Sequence, residues 1–152
     1  MAAVKEVLCS VGDEVYGIDI AYVKGIEKYV NISPVPNAPG YIEGIINLRG
    51  DVIPIYNLRY KFNLPKTEPT ENTKLIISKS GEILIAFMVD MVTEIVELEK
   101  EAFHELPTVV KTEETAYIRS IAQVGGRLVV MLDLEAMLSG KESSHIKNML
   151  EE

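Results

Sequence analysis

The chain has 152 residues, 47% of them hydrophobic and 25% charged, a balance that suits one compact unit with a real core and excludes a disordered chain. Fifteen Lys and Arg against 23 Asp and Glu leave a net charge of -8. That sign argues against a surface whose affinity comes from neutralising phosphates, in nucleic acid or on an anionic membrane.

The N-terminal residues Met1 to Glu6 show no basic stretch followed by an apolar one, so the expectation is a cytoplasmic protein without a secretory leader. The lone Cys9 has no partner for an internal disulfide and reads as a packing residue in the apolar run 7–11. Runs 7–11, 15–20 and 23–29, rich in Val, Ile and Tyr, read as strands, the first two joined by a turn at Gly12-Asp13. Pro34, Pro36 and Pro39 then stiffen an extended, ordered loop. Residues 44–48 and 52–56 form a tight hairpin, and Asn57 is placed to cap a short helical turn over 57–62.

The same order of elements then returns. Residues 41–53 align without gaps with 117–129 at an offset of 76, and the match extends to Leu58 with Leu134. Upstream, Gly12-Asp13 aligns with Gly81-Glu82, Ile20 with Val89, Val23 with Val92 and Ile26 with Ile95, all at an offset of 69. The difference of seven is an insertion in the second copy, the acidic stretch 97–114, where Pro107 and paired charges predict a loop. The second hairpin turns on Gly125-Gly126, which readily supply positive φ, and Asp133 caps a second short turn over 133–138. Ile146, Met149 and Leu150 share a face of a final helix, predicted over 139–152 with Ser143 and Ser144 as caps and docked on the body. No run has the length of a membrane span; the longest, such as 83–87 and 128–132, are strand-length.

The expected architecture is therefore mostly β. It consists of two five-stranded barrels related by internal duplication, approximately 12–66 and 73–138, with the N-terminal strand a candidate to be shared. Short helices and the C-terminal helix complete it. Each half, at about 60–70 residues, has only a marginal core of its own, so the halves are expected to pack together.

Catalytic chemistry is thinly supplied. His104 and His145 lack the nearby His or Cys that a zinc site needs, and no Gly-rich phosphate loop is present. Glu97, Glu99, Glu101 and Glu105 read as a solvated acidic face. A hydrolase with one aspartate per copy fails because Asp51 and Asp133 occupy unequal positions and neither precedes Ser/Thr-Gly. No catalytic residue, cofactor or metal is expected. The copies differ most informatively at the hairpin turn, Asn47-Leu48-Arg49-Gly50 against Gln123-Val124-Gly125-Gly126. An Arg that bonds loop carbonyls and an Arg that organises an interface are both open at this point.

The segment Glu14 to Ile20, then Val23, 32–36, the hairpin Gly44-Ile45-Ile46-Asn47-Leu48-Arg49-Gly50, Val52-Ile53-Pro54-Ile55 with Leu58-Arg59, and Phe87 to Ile95 together resemble the CheW-like adaptors of bacterial chemotaxis. The resemblance covers about residues 5–138 and implies a CheW-like domain over 1–138, two SH3-like barrels and no enzymatic activity. The implied partners are the regulatory domain of the histidine kinase CheA, met barrel against barrel, and the cytoplasmic tip of methyl-accepting chemoreceptors, met in a groove between the halves. Nucleic acid and membrane insertion are not implied, and the implied location is cytoplasmic, at receptor arrays through protein contacts.

Val23, Gly44, Arg49 and Ile95 match family positions implicated in receptor coupling or in supporting that surface. Val23 and Ile95 read equally as core, and Gly44 as a close backbone approach. Relatives commonly carry Glu where this chain has Gly25; Glu27, on the same strand face, is the candidate substitute partner for Arg49. The competing readings are a CheW-like scaffold in a non-chemotactic array, a small-barrel nucleic-acid or oligosaccharide binder and a small acid hydrolase. The net charge of -8 and the absence of Trp argue against the second, and the lack of any sign of a pocket against the third.

Overall fold

Val, Ile and alternating polar residues put most of the chain into strands, and Gly at positive φ turns them back on themselves. The computed structural model describes residues 3–150. The first copy runs β1 (Val4–Val11), β2 (Glu14–Asp19), β3 (Gly25–Lys28), β4 (Ile42–Leu48), β5 (Asp51–Asn57) and α1 (Leu58–Lys61). The second runs β6 (Lys74–Ser80), β7 (Ile83–Val89), β8 (Met91–Leu98), β9 (Phe103–His104), β10 (Ile118–Val124) and β11 (Arg127–Leu132), followed by α2 (Gly140–Leu150). The last two residues of the expected helix lie outside the described residues.

The duplication holds at the level of single hydrogen bonds. Gly12 and Gly81 have φ of 64° and 62°, and the hairpins turn on Arg49-Gly50 and Gly125-Gly126 with all four φ positive, as a two-residue type I′ turn requires. Asn57 Oδ1 accepts from the Arg59 amide at 2.9 Å and Asp133 Oδ1 from the Glu135 amide at 3.0 Å, capping equivalent short helices. The amides of Asn57 and Asp133 donate to the carbonyls of Tyr41 and Tyr117, again one repeat apart, at 2.9 and 2.8 Å.

The sheets, however, are not laid out as the segments 12–66 and 73–138. One sheet has the order β8-β1-β2-β11-β10-β9 and the other β3-β6-β7-β5-β4. Each copy thus gives its first hairpin to the sheet of the other. The exchange is reciprocal: β2 runs parallel to β11 with Gly17 opposite Met131, and β7 runs parallel to β5 with Ala86 opposite Ile55. Val7 opposite Ile95 and Ile76 opposite Ile26 repeat the relation on the other side of each hairpin. The N-terminal strand β1 pairs with β2 and β8 and belongs wholly to the six-stranded sheet. The sixth strand there, the two-residue β9, comes from the insertion, and β8 itself extends to Leu98 inside the stretch read as loop. The physical reason for the exchange is area: one copy offers too little apolar face to cover its own sheet, whereas exchanged hairpins bury both copies at once.

The largest buried cluster accordingly draws on both copies, with Ile18, Tyr56, Leu58, Ile76, Phe87, Leu132 and Leu134 among its members. Arg59 of α1 grips Asp90, between β7 and β8, through two bonds of 3.0 and 2.7 Å, and Asp90 Oδ2 also accepts from the Gly12 amide at 2.8 Å.

Helix α2 docks on the body, but its cap is Ser139 rather than Ser143 or Ser144. Ser139 Oγ accepts from the Glu142 amide at 3.1 Å while Glu142 Oε1 accepts from the Ser139 amide at 3.0 Å, a reciprocal capping box. Glu142 also accepts from Tyr56 Oη at 2.9 Å and Lys61 Nζ at 3.0 Å, and Ile146 is fully buried in the central cluster. Ile146→Ala should lower the unfolding free energy by about 2–5 kcal/mol in urea titration; a loss below about 1 kcal/mol would contradict the docking described.

Candidate protein-interaction site

The β4–β5 turn is the place where local backbone and surface charge meet. A type I′ turn needs a left-handed backbone, which Gly adopts freely and other residues at a cost of about 1–2 kcal/mol. The second copy uses Gly125 there with φ of 56°; the first places Arg49 at φ of 51°. Asn47 Oδ1 accepts from the Gly50 amide at 3.1 Å and stiffens the turn. The Arg49 side chain is 80% exposed, and its nearest carboxylate oxygen, Glu27 Oε2, stands 4.0 Å away. Among the described residues it bonds no loop carbonyl. So exposed an ion pair is worth at most about 1 kcal/mol, and neither the pair nor the turn explains why a strained Arg stands here.

Glu27 lies on β3 and Arg49 beyond β4, the two edges of the five-stranded sheet. Their approach therefore marks where the sheet curls and its edges come near one another. A Cβ added at Gly25 would meet nothing but the Glu27 carboxylate, at 3.5 Å, so Glu27 leans over the space that a side chain at 25 would fill.

Val23 is half-buried against the central cluster and follows a 3-10 turn at Ile20–Tyr22 that is capped by Asp19. Gly44 is buried. A Cβ there would stand 2.5 Å from the Ser33 carbonyl and 2.9 Å from Ile32, and the approach lets Ser33 and Ile45 exchange backbone bonds of 2.9 and 2.8 Å. Its backbone role is thus to strap the proline-rich loop onto β4. Ile95 lies in the other sheet, on edge strand β8, and is 53% exposed, so it is surface and not core. The structure brings Glu27, Gly25 and Arg49 together at one seam. Gly44 supports the strand leading into that turn, and Ile95 stands apart in the second sheet.

Reading residues singly misses a further pattern. Exposed large apolar side chains recur at repeat-related positions: Tyr22 with Met91, Ile26 with Ile95, and Val52 with Leu128. Val52 and Leu128 are 50% and 64% exposed. Superposing the two copies with burial in mind would have found them. The concave feature of about 780 Å³ beside Val52 is walled by Val35 to Pro39, Ile45 and the end of α2.

Reactive chemistry is sparse by comparison. Burial pushes the Cys9 thiol up to about 12, which keeps it un-ionised and consistent with packing. Among the described residues no group of three or more His, Cys, Asp or Glu is placed to hold a metal, and no helix is long and apolar enough to cross a membrane.

Arg49→Gly should raise stability by about 0.5–1 kcal/mol by relieving the left-handed Arg, and thermal unfolding against the parent chain measures it. Gly44→Ala should do the opposite, costing about 1–3 kcal/mol, because the added methyl meets backbone and not a flexible side-chain end.

Comparison with known proteins agrees with this scaffold. The family model described as a CheW-like domain matches residues 5–142. The chemotaxis protein CheW of Klebsiella aerogenes is 33% identical over 92% of this chain and 84% of its own. That of Bacillus subtilis is 34% identical over 92% and 89%. Among solved structures, the scaffolding protein TtCheW from Thermoanaerobacter tengcongensis superposes with a TM-score of 0.82, at 32% identity over 93% of both chains. A family model that spans both sheets, with relatives a third identical along nearly the whole chain, identifies the duplicated scaffold: the chain belongs to the CheW-like domain family.

Proposed function

We propose that this chain is a non-enzymatic adaptor that couples the cytoplasmic tip of chemoreceptors to the regulatory domain of the histidine kinase CheA. It would act in the cytoplasm, held at receptor arrays by protein contacts. Membership of the CheW-like family supports the chemotactic role. The observation that carries the assignment of a contact surface is Arg49, strained and exposed at the seam beside Glu27, where the other copy has Gly. Strain kept at an exposed turn is a mark of function, since folding alone would favour Gly. A guanidinium with free donors suits a polar or acidic partner surface.

The seam of Glu27 and Arg49, with Gly44 supporting the strand that leads into it and Val23 just before β3, is assigned to the receptor. An adaptor needs two surfaces, and apolar positions repeated on both sheets supply them without new folding cost. Ile95 extends the contact surface onto the second sheet.

A pull-down with a receptor tip hairpin and with the kinase regulatory domain, separately and together, tests the reading; no retention of either at micromolar concentration sinks it. Glu27→Ala and Arg49→Ala should weaken receptor retention to the same degree, and the double variant no further. Losses that add would show that the two act separately. Ile95→Ser, at an exposed site, should leave stability within about 0.5 kcal/mol while reducing partner retention.

A further inference from the structure

Strand β1 carries a carboxylate where alternation calls for an apolar side chain. Val4, Glu6 and Leu8 point to one face of the strand, the face of the cluster formed by Leu8, Leu98, Ala122, Val129 and Met131. Glu6 is fully buried there, and the other copy has Leu75, also fully buried, at the equivalent place. Glu6 Oε1 accepts from Arg119 Nη2 at 3.0 Å, while Oε2 has no partner. The same Arg119 holds Nη1 3.8 Å from Asp19 Oδ2. Asp19 in turn uses Oδ1 to accept from the Ala21 amide at 2.9 Å, capping the 3-10 turn that leads to Val23.

The remaining neighbours of Glu6 do not compete. Opposite it on β8 stands Val96, with Glu94 further along and exposed. The segment 100–104 closes the cluster with Ala102 and Phe103, and its Lys100, Glu101 and His104 are exposed. One buried carboxylate, one cation and one capping carboxylate thus connect the inside of the six-stranded sheet to a surface turn. Burial pushes the Glu6 carboxyl up to about 7, against the pull of Arg119, and Asp19 adds to the rise.

We propose that Glu6, Arg119 and Asp19 form a proton-operated latch. Ionised Glu6 holds the guanidinium; when Glu6 takes up a proton, the guanidinium passes to Asp19 and draws that carboxylate away from the cap at Ala21. The turn so loosened presents Tyr22 and Val23. Regulation of partner docking by the latch rests on the reading of that face given above, whereas the latch itself does not.

The sign of the linkage is set by the raised value. Between the ordinary carboxylate range and about 7 the native chain holds a proton that the unfolded chain has released, so the contribution of Glu6 to stability is greatest at the acid end. It is lost as pH rises through that window.

Carbon-detected NMR titration of the side-chain carboxyls of the full chain, with exchange of the Ala21 amide followed in parallel, tests the latch. Glu6 should titrate near 7, and Ala21 exchange, corrected for its intrinsic rate, should be about fivefold faster below that midpoint than above it, the equivalent of one lost cap. Glu6→Gln should fix the fast state at all pH. A Glu6 midpoint in the ordinary carboxylate range, or Ala21 exchange that ignores the Glu6 titration, overturns the proposal. Both observations come from the unaltered chain and decide the matter even if the variant does not fold.

Discussion

Each sheet of this molecule is completed by a hairpin that belongs to the other repeat copy: β2 lies parallel to β11 in one, and β7 parallel to β5 in the other. Everything else is arranged around these two parallel joints. They place Ile18 and Leu132 beside Tyr56 and Phe87 in one buried cluster, so the core belongs to neither copy alone. Polar stitches follow the same route. Arg59 of the first copy holds Asp90 of the second, which holds the Gly12 amide of the first, and Arg119 of the second copy reaches back to Glu6 of the first. Cutting either joint would expose both sheets, and cooperative unfolding of the whole is the natural consequence.

A scaffold made twice frees one copy to change where the other need not. Capping bonds, hairpin turns and the tyrosine-carbonyl contacts are kept in both copies because each satisfies a backbone group that burial would otherwise leave costly. The surfaces diverge instead. Arg49 replaces the Gly that the turn prefers, Gly25 stands where the second copy has Glu94, and the second copy alone carries the acidic insertion. Strain at Arg49 and an unpartnered oxygen at Glu6 are places where the chain departs from what stability alone would choose.

Much of this was legible in the residues, wherever the cause was local. Gly12 and Gly81 announced their turns, Asn57 and Asp133 their caps, and the two offsets showed that the elements recur. The cap of α2, Ser139, lies four or five residues before Ser143 and Ser144, which in isolation are equally good caps. What settles the matter is Glu142, three residues after Ser139, whose carboxylate also meets Tyr56 and Lys61 from distant parts of the chain. Ile95 was equally readable as core or surface, since an apolar residue in a strand looks the same on a covered strand and on an edge.

By itself the sequence determined the duplication, the strand-rich class, the turns and the singular Arg at the first hairpin, because each depends on neighbours within a few residues or on comparing one copy with the other. Only the tertiary structure decided which copy closes which sheet, that Glu27 and Arg49 face each other across a seam, and that Glu6 is buried against Arg119. Those facts depend on which free strand edge meets which, over separations of up to 113 residues. Alternation along a strand tells which face is buried but carries no record of the strand beside it.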